Sequence, residues 1–173
     1  MDLLVVANLD AGSEVPYNWE DVKNMPVRGV PALLIHAGKH VQWLFPSLVD
    51  EIYDHEGRIV HMKMPEHPAF KEIEPFDIAW WQQEGRERPI ACRRSYRFKE
   101  IQGVTSLCEY LRPHVYISNP EEELRKMKGS PLVEVQDRGT LVASELELNT
   151  GVKDPVAAKV FVNLLEYLLT SKK

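Results

Sequence analysis

The chain has 173 residues, 44% of them hydrophobic and 27% charged, with a formal net charge of −5. This length suits a single domain whose core is large enough to fold without disulfides or a structural metal. The acidic balance argues against a general nucleic-acid or anionic-membrane surface. The two cysteines, Cys92 and Cys108, form no CxxC pair, so their spacing predicts neither a disulfide framework nor a zinc knuckle.

The first residues carry no recognisable targeting signal. The apolar stretch at the N-terminus has no basic residues before it and ends at Asn8 and Asp10, so it predicts neither a signal peptide nor a membrane span. As written, we expect the chain in the cytoplasm, whereas a fragment of a secreted enzyme would lie elsewhere. Within one predicted domain, residues 1–28 form a loop-rich lead-in with a strand at residues 3–7, and residues 29–173 form the core.

The first half of the core has an alternation typical of α/β proteins. Residues 31–36 are a continuous apolar run, which predicts a central parallel strand covered on both faces. We predict a helix over residues 46–53, because apolar positions recur there on one helical face. Residues 58–63 and 76–81 are predicted as the next two strands. This order of elements indicates a doubly wound sheet.

In the second half of the core, the predicted elements become shorter. Residues 90–98 are rich in strand formers, and Thr105 is placed to cap a short helix that continues to residue 111. A further strand is predicted at residues 114–117. A helix over about residues 118–129 follows, because a capping residue and a proline precede a run of glutamates there.

The last third of the chain carries the strongest local signals. Residues 131–135 and 141–148 flank a turn that contains Gly139, which can take the positive φ of a tight hairpin. After this hairpin, Asp154 can cap a helix in which Pro155 occupies the first position. The helix is apolar on most sides, so we expect it to be largely buried.

Several short motifs follow one another in the order and spacing of a known family. They are Phe76-Asp77-Ile78-Ala79-Trp80-Trp81, Tyr96, Gly103-Val104, Leu107, Leu111-Arg112-Pro113-His114-Val115-Tyr116-Ile117, Ser144, Asp154-Pro155-Val156-Ala157 and Asn163-Leu164-Leu165-Glu166-Tyr167. Over about residues 30–170 the chain resembles the glutamine-amidotransferase-like module appended to large bacterial glycoside hydrolases. The resemblance implies a flavodoxin-like, class I glutamine-amidotransferase-like three-layer α/β sandwich. In that fold a mostly parallel sheet ends in a C-terminal antiparallel hairpin and a buried C-terminal helix.

The resemblance also implies a module without chemistry of its own. Such a module works beside a carbohydrate-active enzyme, through oligomerisation contacts or by binding a saccharide. Active amidotransferases place a nucleophilic Cys on a sharp strand-to-helix turn, typically Gly-x-Cys-x-Gly. Neither candidate turn, residues 36–40 or the turn after Trp81, contains Cys. No catalytic residue is therefore carried over, and the alternative is a stand-alone hydrolase or amidase that uses Cys92, Cys108 or the histidines.

Polar and aromatic residues near the predicted strand ends are candidate ligand contacts. Open α/β sheets bind ligands at the carboxyl ends of their strands, where indoles can stack on sugars and amides can bind hydroxyls. The candidate residues are His36, Gly38, His40, Trp81, Gln82, His114 and Tyr116. Five of the six histidines lie between residues 36 and 67, but no spacing brings three or four onto one ion, so we predict no metal and no cofactor.

The one local concentration of basic residues lies between residues 86 and 99. The chain as a whole is acidic, and no nucleic-acid recognition motif accompanies these basic residues. The basic stretch therefore predicts a solvated edge or a subunit contact and not a nucleic-acid surface. The predicted partners are therefore a second copy of the chain or a carbohydrate-active enzyme, and a saccharide, with no nucleic acid and no membrane. A small-ligand sensor without turnover is a third hypothesis.

Overall fold

A mixed β-sheet flanked by helices organises the chain. The computed structural model describes residues 2–7, 18–47, 49–79, 90–99, 103–111, 128–136, 139–148 and 154–171. The strands are β1 Leu4–Ala7, β2 Ala32–Ile35, β3 Val49–Tyr53, β4 His61–Met62, β5 Ser95–Phe98, β6 Val104–Leu111, β7 Lys128–Val135 and β8 Leu141–Ser144. The helices are α1 Trp19–Asn24, α2 Lys39–Leu44, α3 Pro75–Ala79 and α4 Pro155–Thr170, with 3₁₀ turns at Pro26–Arg28 and Pro68–Phe70.

The parallel part of the sheet is built around β2. This strand pairs in parallel with β1 on one side and with β8 on the other. All four of its residues are buried, as its uninterrupted apolar sequence requires. The predicted central parallel strand and the predicted strand at residues 3–7 are therefore confirmed.

The antiparallel part of the sheet is built around β7. This strand forms the predicted hairpin with β8, and it also pairs in antiparallel fashion with β6 along its length and with β5 at Ser130. Strands β3 and β4 add antiparallel pairs at β5 and β6. The sheet of eight described strands is thus mixed, and the prediction of a mostly parallel sheet is wrong. When a strand pairs with a partner distant in sequence, its own residues do not indicate whether the pairing is parallel or antiparallel.

The prediction of a helix over residues 46–53 is also wrong, because residues 49–53 form β3. The helix of this region is α2, which ends before Pro46. In β3, Asp50 and Glu51 pair across the strands with Arg97 of β5, at 2.7 and 3.2 Å from its Nη2. The acidic residues that suggested an exposed helical face therefore make cross-strand ion pairs.

Two further elements differ in type from their predictions. Residues 105–111, predicted as a helix, belong to β6, because β-branched Val104 and Thr105 begin a strand that pairs with β7. Residues 75–79, predicted as part of a strand, form α3, with Pro75 at its first position and the Asp77 carboxylate accepting from the N–H of Glu74 at 3.0 Å.

Other predicted elements are shortened or lie outside the described residues. The strand predicted over residues 58–63 is reduced to His61–Met62. The predicted strand at residues 114–117 and most of the predicted helix over residues 118–129 lie outside the described ranges. The predicted end of that helix near residue 129 is wrong, because Lys128 and Gly129 belong to β7.

Helices cover both faces of the sheet. On one face, Leu33, Ile35, Leu132 and Val142 of β2, β7 and β8 pack in one cluster with Val160 and Leu164 of α4. On the other face, Leu34, Val133 and Ala143 of the same strands pack with Val22 of α1 and with Val41 and Leu44 of α2. None of the helices in the described part of the chain is long and apolar enough to cross a membrane.

Helix α4 begins where the sequence predicts. The Asp154 carboxylate accepts hydrogen bonds from the N–H groups of Val156 and Ala157, at 2.9 and 3.1 Å. Further along the helix, the Asn163 side-chain amide donates to the carbonyls of Ala69 and Lys71, at 3.2 and 2.9 Å. The cap sets the start of the helix, and Asn163 holds the neighbouring 3₁₀ turn against it.

A buried carboxylate joins α4 to the sheet. Glu134 of β7 is 4% exposed and accepts hydrogen bonds from the hydroxyl of Tyr167 and, at 2.9 Å, from the side-chain amide of Gln136. The Nε2 atom of His67 lies 3.6 Å from Glu134 Oε2, while its Nδ1 accepts from the N–H of Ala69 at 3.1 Å. The neutral ring therefore carries its proton on Nε2, facing the carboxylate.

These contacts determine the charge of Glu134. Burial by itself raises the pKa of the Glu134 carboxyl, but the contacts with His67, Tyr167 and Gln136 outweigh burial and lower the pKa below its usual value. The pKa of Tyr167 is raised, by burial and by the adjacent Glu134 carboxylate. Glu134 is thus a carboxylate at neutral pH that stabilises the docking of α4.

We expect the variant Glu134→Gln to lower the free energy of unfolding at pH 7 by about 1–3 kcal/mol, because charge-assisted hydrogen bonds are lost. The folded-state pKa lies below that of the unfolded chain. The contribution of Glu134 is therefore present at neutral pH and is lost as the pH falls from about 4.3 through the folded-state pKa. Denaturant unfolding at several pH values between neutral and strongly acidic measures this.

The matched control for this experiment is Glu166→Gln, at an exposed position of α4. It should leave the pH dependence of unfolding unchanged. A difference between the wild type and Glu134→Gln that stays constant from neutral to strongly acidic pH would show that the charge of Glu134 contributes nothing.

Candidate functional site

The candidate site lies where two parallel strands end side by side. Strand β2 ends at Ile35, and the chain turns through His36 and Gly38 into α2. Its parallel neighbour β8 ends at Ser144 and continues into Glu145 and Leu146. The carboxyl ends of adjacent parallel strands meet at one edge of a sheet, where open α/β folds bind ligands.

The turn after β2 is conformationally strained. His36 has a φ of 52°, which is uncommon for a residue with a side chain, and Gly38 has a φ of 51°. The His36 N–H donates to the carbonyl of Ser144 at 2.8 Å, and its ring Nε2 donates to the carbonyl of Leu146 at 2.9 Å. Two hydrogen bonds to the β8 side therefore hold the strained residue in place.

The first of two buried carboxylates belongs to Glu145, which has no exposed surface. Its Oε1 accepts hydrogen bonds from the N–H of Gly38, at 2.8 Å, and from the hydroxyl of Tyr96. The Nη1 atom of Arg94 lies 3.8 Å from Oε2. Glu145 therefore ties the turn after β2 to β5 and to the segment that precedes it.

The second buried carboxylate belongs to Glu147, which is likewise unexposed. It accepts a hydrogen bond from Nε of Arg93, and Nη2 of the same guanidinium lies 3.5 Å from its second oxygen. The His36 Nε2 atom lies 3.7 Å from Glu147 Oε1. Hereafter, the edge cluster denotes His36, Arg93, Tyr96, Glu145 and Glu147.

The edge cluster presents one charged group to solvent. The Arg93 side chain is 39% exposed, whereas the side chains of Glu145, Glu147 and His36 are buried. A guanidinium has five N–H donors, and only part of this set is directed at Glu147. The accessible part of the site is therefore a planar donor of hydrogen bonds, suited to oxygen atoms of a ligand.

The two thiols are poorly suited to nucleophilic chemistry. Burial, with a contribution from the carboxylates of Glu145 and Glu147, raises the pKa of Cys92 to about 12. Burial also raises the pKa of Cys108 well above its usual value. Because the thiolate is the reactive form, we expect both cysteines to react slowly at neutral pH. At the β2–α2 turn, the residue directly before α2 is Gly38, which has no side chain to act as a nucleophile.

The structure brings some of the predicted site residues together. His36 and Gly38 meet the carboxylates at the sheet edge, and His40 lies half-buried in the first turn of α2. Trp81, Gln82, His114 and Tyr116 lie outside the described residues. Among the described residues, no three His, Cys, Asp or Glu side chains are grouped so that they could hold a metal ion.

Four residues of the edge cluster are not among the ligand contacts predicted from the sequence: Arg93, Tyr96, Glu145 and Glu147. The available signal is the alternation of Glu145 and Glu147 with two leucines directly after an apolar strand. Acidic residues at the carboxyl end of a predicted parallel strand are candidate ligand contacts. No comparable signal marks Arg93 and Tyr96, because their roles depend on the antiparallel position of β5.

We expect iodoacetamide to label Cys92 and Cys108 slowly in the native protein at pH 7 and rapidly after denaturation. The raised pKa values leave almost no thiolate, and burial blocks access. Mass spectrometry of timed samples measures the labelling, with the denatured chain as the control. Rapid modification of either cysteine in the native state would instead favour the cysteine-dependent hydrolase.

Solved structures with a similar fold include the following two. One is the Cytoplasmic Protein STM3548 from Salmonella typhimurium, which is 12% identical, with a TM-score of 0.53 over 96% of this chain and 71% of that chain. The other is a protein from Bacteroides uniformis ATCC 8492 described as ThuA-like. It is 10% identical, with a TM-score of 0.56 over 98% of this chain and 70% of that chain.

Neither of two comparisons of the amino-acid sequence finds a match. No protein-family model matches the chain, and no curated protein is significantly similar to it. At identities this low, the structural similarity concerns the fold and does not transfer an activity. The chain therefore has an α/β fold similar to that of these two proteins.

Proposed function

We propose that the chain is a non-catalytic, amidotransferase-like module that binds an uncharged saccharide at the carboxyl edge of β2 and β8. The edge cluster is the observation that carries this proposal. Active amidotransferases need a nucleophilic side chain at a strand-to-helix turn, and the turn after β2, residues 36–40, contains no Cys. Hydrogen-bonding groups of the cluster converge directly beside it, and a binding role needs such groups without a nucleophile.

The charge balance of the site favours an uncharged ligand. Glu147 is paired with Arg93, and Glu145 is contacted by Tyr96 and Arg94. An anionic ligand at the exposed face of Arg93 would meet the repulsion of the Glu147 carboxylate, which is already paired with this guanidinium. Sugar hydroxyls can accept from the exposed face of Arg93 without disturbing the pair, since a hydroxyl is both donor and acceptor.

The hydrolase alternative has less support. Both thiols are buried, and their pKa values are raised. The His36 Nε2 proton is directed at the carbonyl of Leu146, so this ring is held as a structural donor. The carbohydrate-active enzyme partner, like a second copy of the chain, stays a prediction from the resemblance.

The proposal is tested by titrating glucose, galactose, maltose and cellobiose into the protein, with isothermal calorimetry and amide NMR as the readouts. We expect at least one sugar to shift the amide signals of Gly38 and Arg93. We expect Arg93→Lys, which keeps the positive charge beside Glu147 and loses the guanidinium donors, to weaken that binding by about tenfold.

The matched control is Arg97→Lys on β5, whose guanidinium pairs with Asp50 and Glu51, outside the edge cluster. This variant should bind the sugar as the wild type does. The proposal is wrong if none of the sugars perturbs the site at millimolar concentrations, if both variants lose binding equally, or if the protein cleaves the sugar that it binds.

A further inference from the structure

A cavity, hereafter the amino-end cavity, lies at the opposite end of β8 from the edge cluster. It has a volume of about 320 Å³, close to the lower limit for small-molecule sites. This volume is enough for one small organic molecule. Its lining residues come from α1 and the following 3₁₀ turn, from the end of α2, and from the β7–β8 hairpin.

The inner surface of this amino-end cavity is apolar. Leu44 of α2, Val135 of β7 and Leu141 of β8 form its floor, and each is nearly fully buried. Pro26 and Val27 of the 3₁₀ turn form a wall, and Val27 is 51% exposed. An apolar group placed in the cavity would remove both its own surface and that of Val27 from water, which is favourable.

The shape of the cavity depends on a glycine. Gly139, in the β7–β8 turn, has a φ of 143°, and a Cβ at this position would lie 2.1 Å from the carbonyl oxygen of Pro26. Any larger residue would therefore push the hairpin away from the 3₁₀ turn. The contact holds the two walls at a defined separation.

The rim of the cavity is polar and carries one positive charge among the described lining residues. Lys23 and Asn24 of α1 lie on one side, and Ser47 lies on the other. Within the described ranges, none of these three side chains makes a hydrogen bond or ion pair with the protein. The ammonium of Lys23 is thus available to a ligand at the mouth of an apolar cavity.

We propose that the amino-end cavity binds a small organic carboxylate with an apolar tail. The tail lies over Leu44, Val135 and Leu141, and the carboxylate pairs with the ammonium of Lys23. Asn24 and Ser47 supply hydrogen-bond donors on either side. The charge of Lys23 selects an anion, and the apolar floor selects against small hydrophilic anions such as phosphate. This site is independent of the saccharide proposed for the edge cluster.

The test compares 3-phenylpropionate with the uncharged 3-phenylpropan-1-ol by amide NMR titration of the intact chain. We expect the acid to shift the amide signals of Lys23, Asn24 and Ser47 and to saturate. We expect the alcohol, and the acid with Lys23→Gln, to bind about fivefold more weakly, because a partly exposed ion pair is lost. The matched control, Lys39→Gln at an exposed position of α2, should bind the acid normally.

A second variant removes the cavity and leaves the charge. Ser47→Trp places an indole over the mouth, and we expect it to reduce the binding of both compounds. The proposal is overturned if acid and alcohol bind equally to the wild type, if neither compound shifts the three rim amides, or if Lys39→Gln weakens binding as much as Lys23→Gln. Rim signals that change with protein concentration alone would assign the cavity to a second copy of the chain and would also overturn it.

Discussion

The burial of two carboxylates at the end of β8 is the constraint on which the rest of the structure depends. An ionised group withdrawn from water needs partners, and removing one partner of a buried pair costs about 3–5 kcal/mol. Arg93 and Tyr96 must therefore reach Glu147 and Glu145 across the sheet edge, and the β2–α2 turn must direct the Gly38 N–H inward. These contacts join the parallel part of the sheet to its antiparallel part.

The same constraint limits the chemistry of the edge. The carboxylates of Glu145 and Glu147 are already engaged by groups of the protein itself. Such a site can recognise a ligand only through donors that remain after its own pairs are made, here the exposed side of Arg93. The amino-end cavity has the converse character, with an apolar floor and one cation without a partner among the described residues. A single strand, β8, thus connects the two regions for which we propose different ligands.

The elements that could be predicted from sequence are those specified by neighbouring residues. The apolar run of β2, the glycine of the β7–β8 turn and the Asp154-Pro155 start of α4 each carry a local signal. Strand β3 could not be predicted in this way, because its acidic residues are paired with Arg97, more than forty residues along the chain. The edge cluster was only partly predictable for the same reason. Glutamates are usually exposed, and the residues that allow Glu145 and Glu147 to be buried lie about fifty residues earlier.

The ring of His67 has a consequence for how the structure opens. It caps the 3₁₀ turn through Nδ1, faces Glu134 through Nε2 and lies edge-on to Tyr167, with the ring centroids 4.7 Å apart. Loss of the 3₁₀ turn would therefore remove a contact from β7 and from the last turns of α4 in the same event. The turn, the strand and the helix end then form one cooperative unit of local unfolding, and none of them can open without weakening the other two.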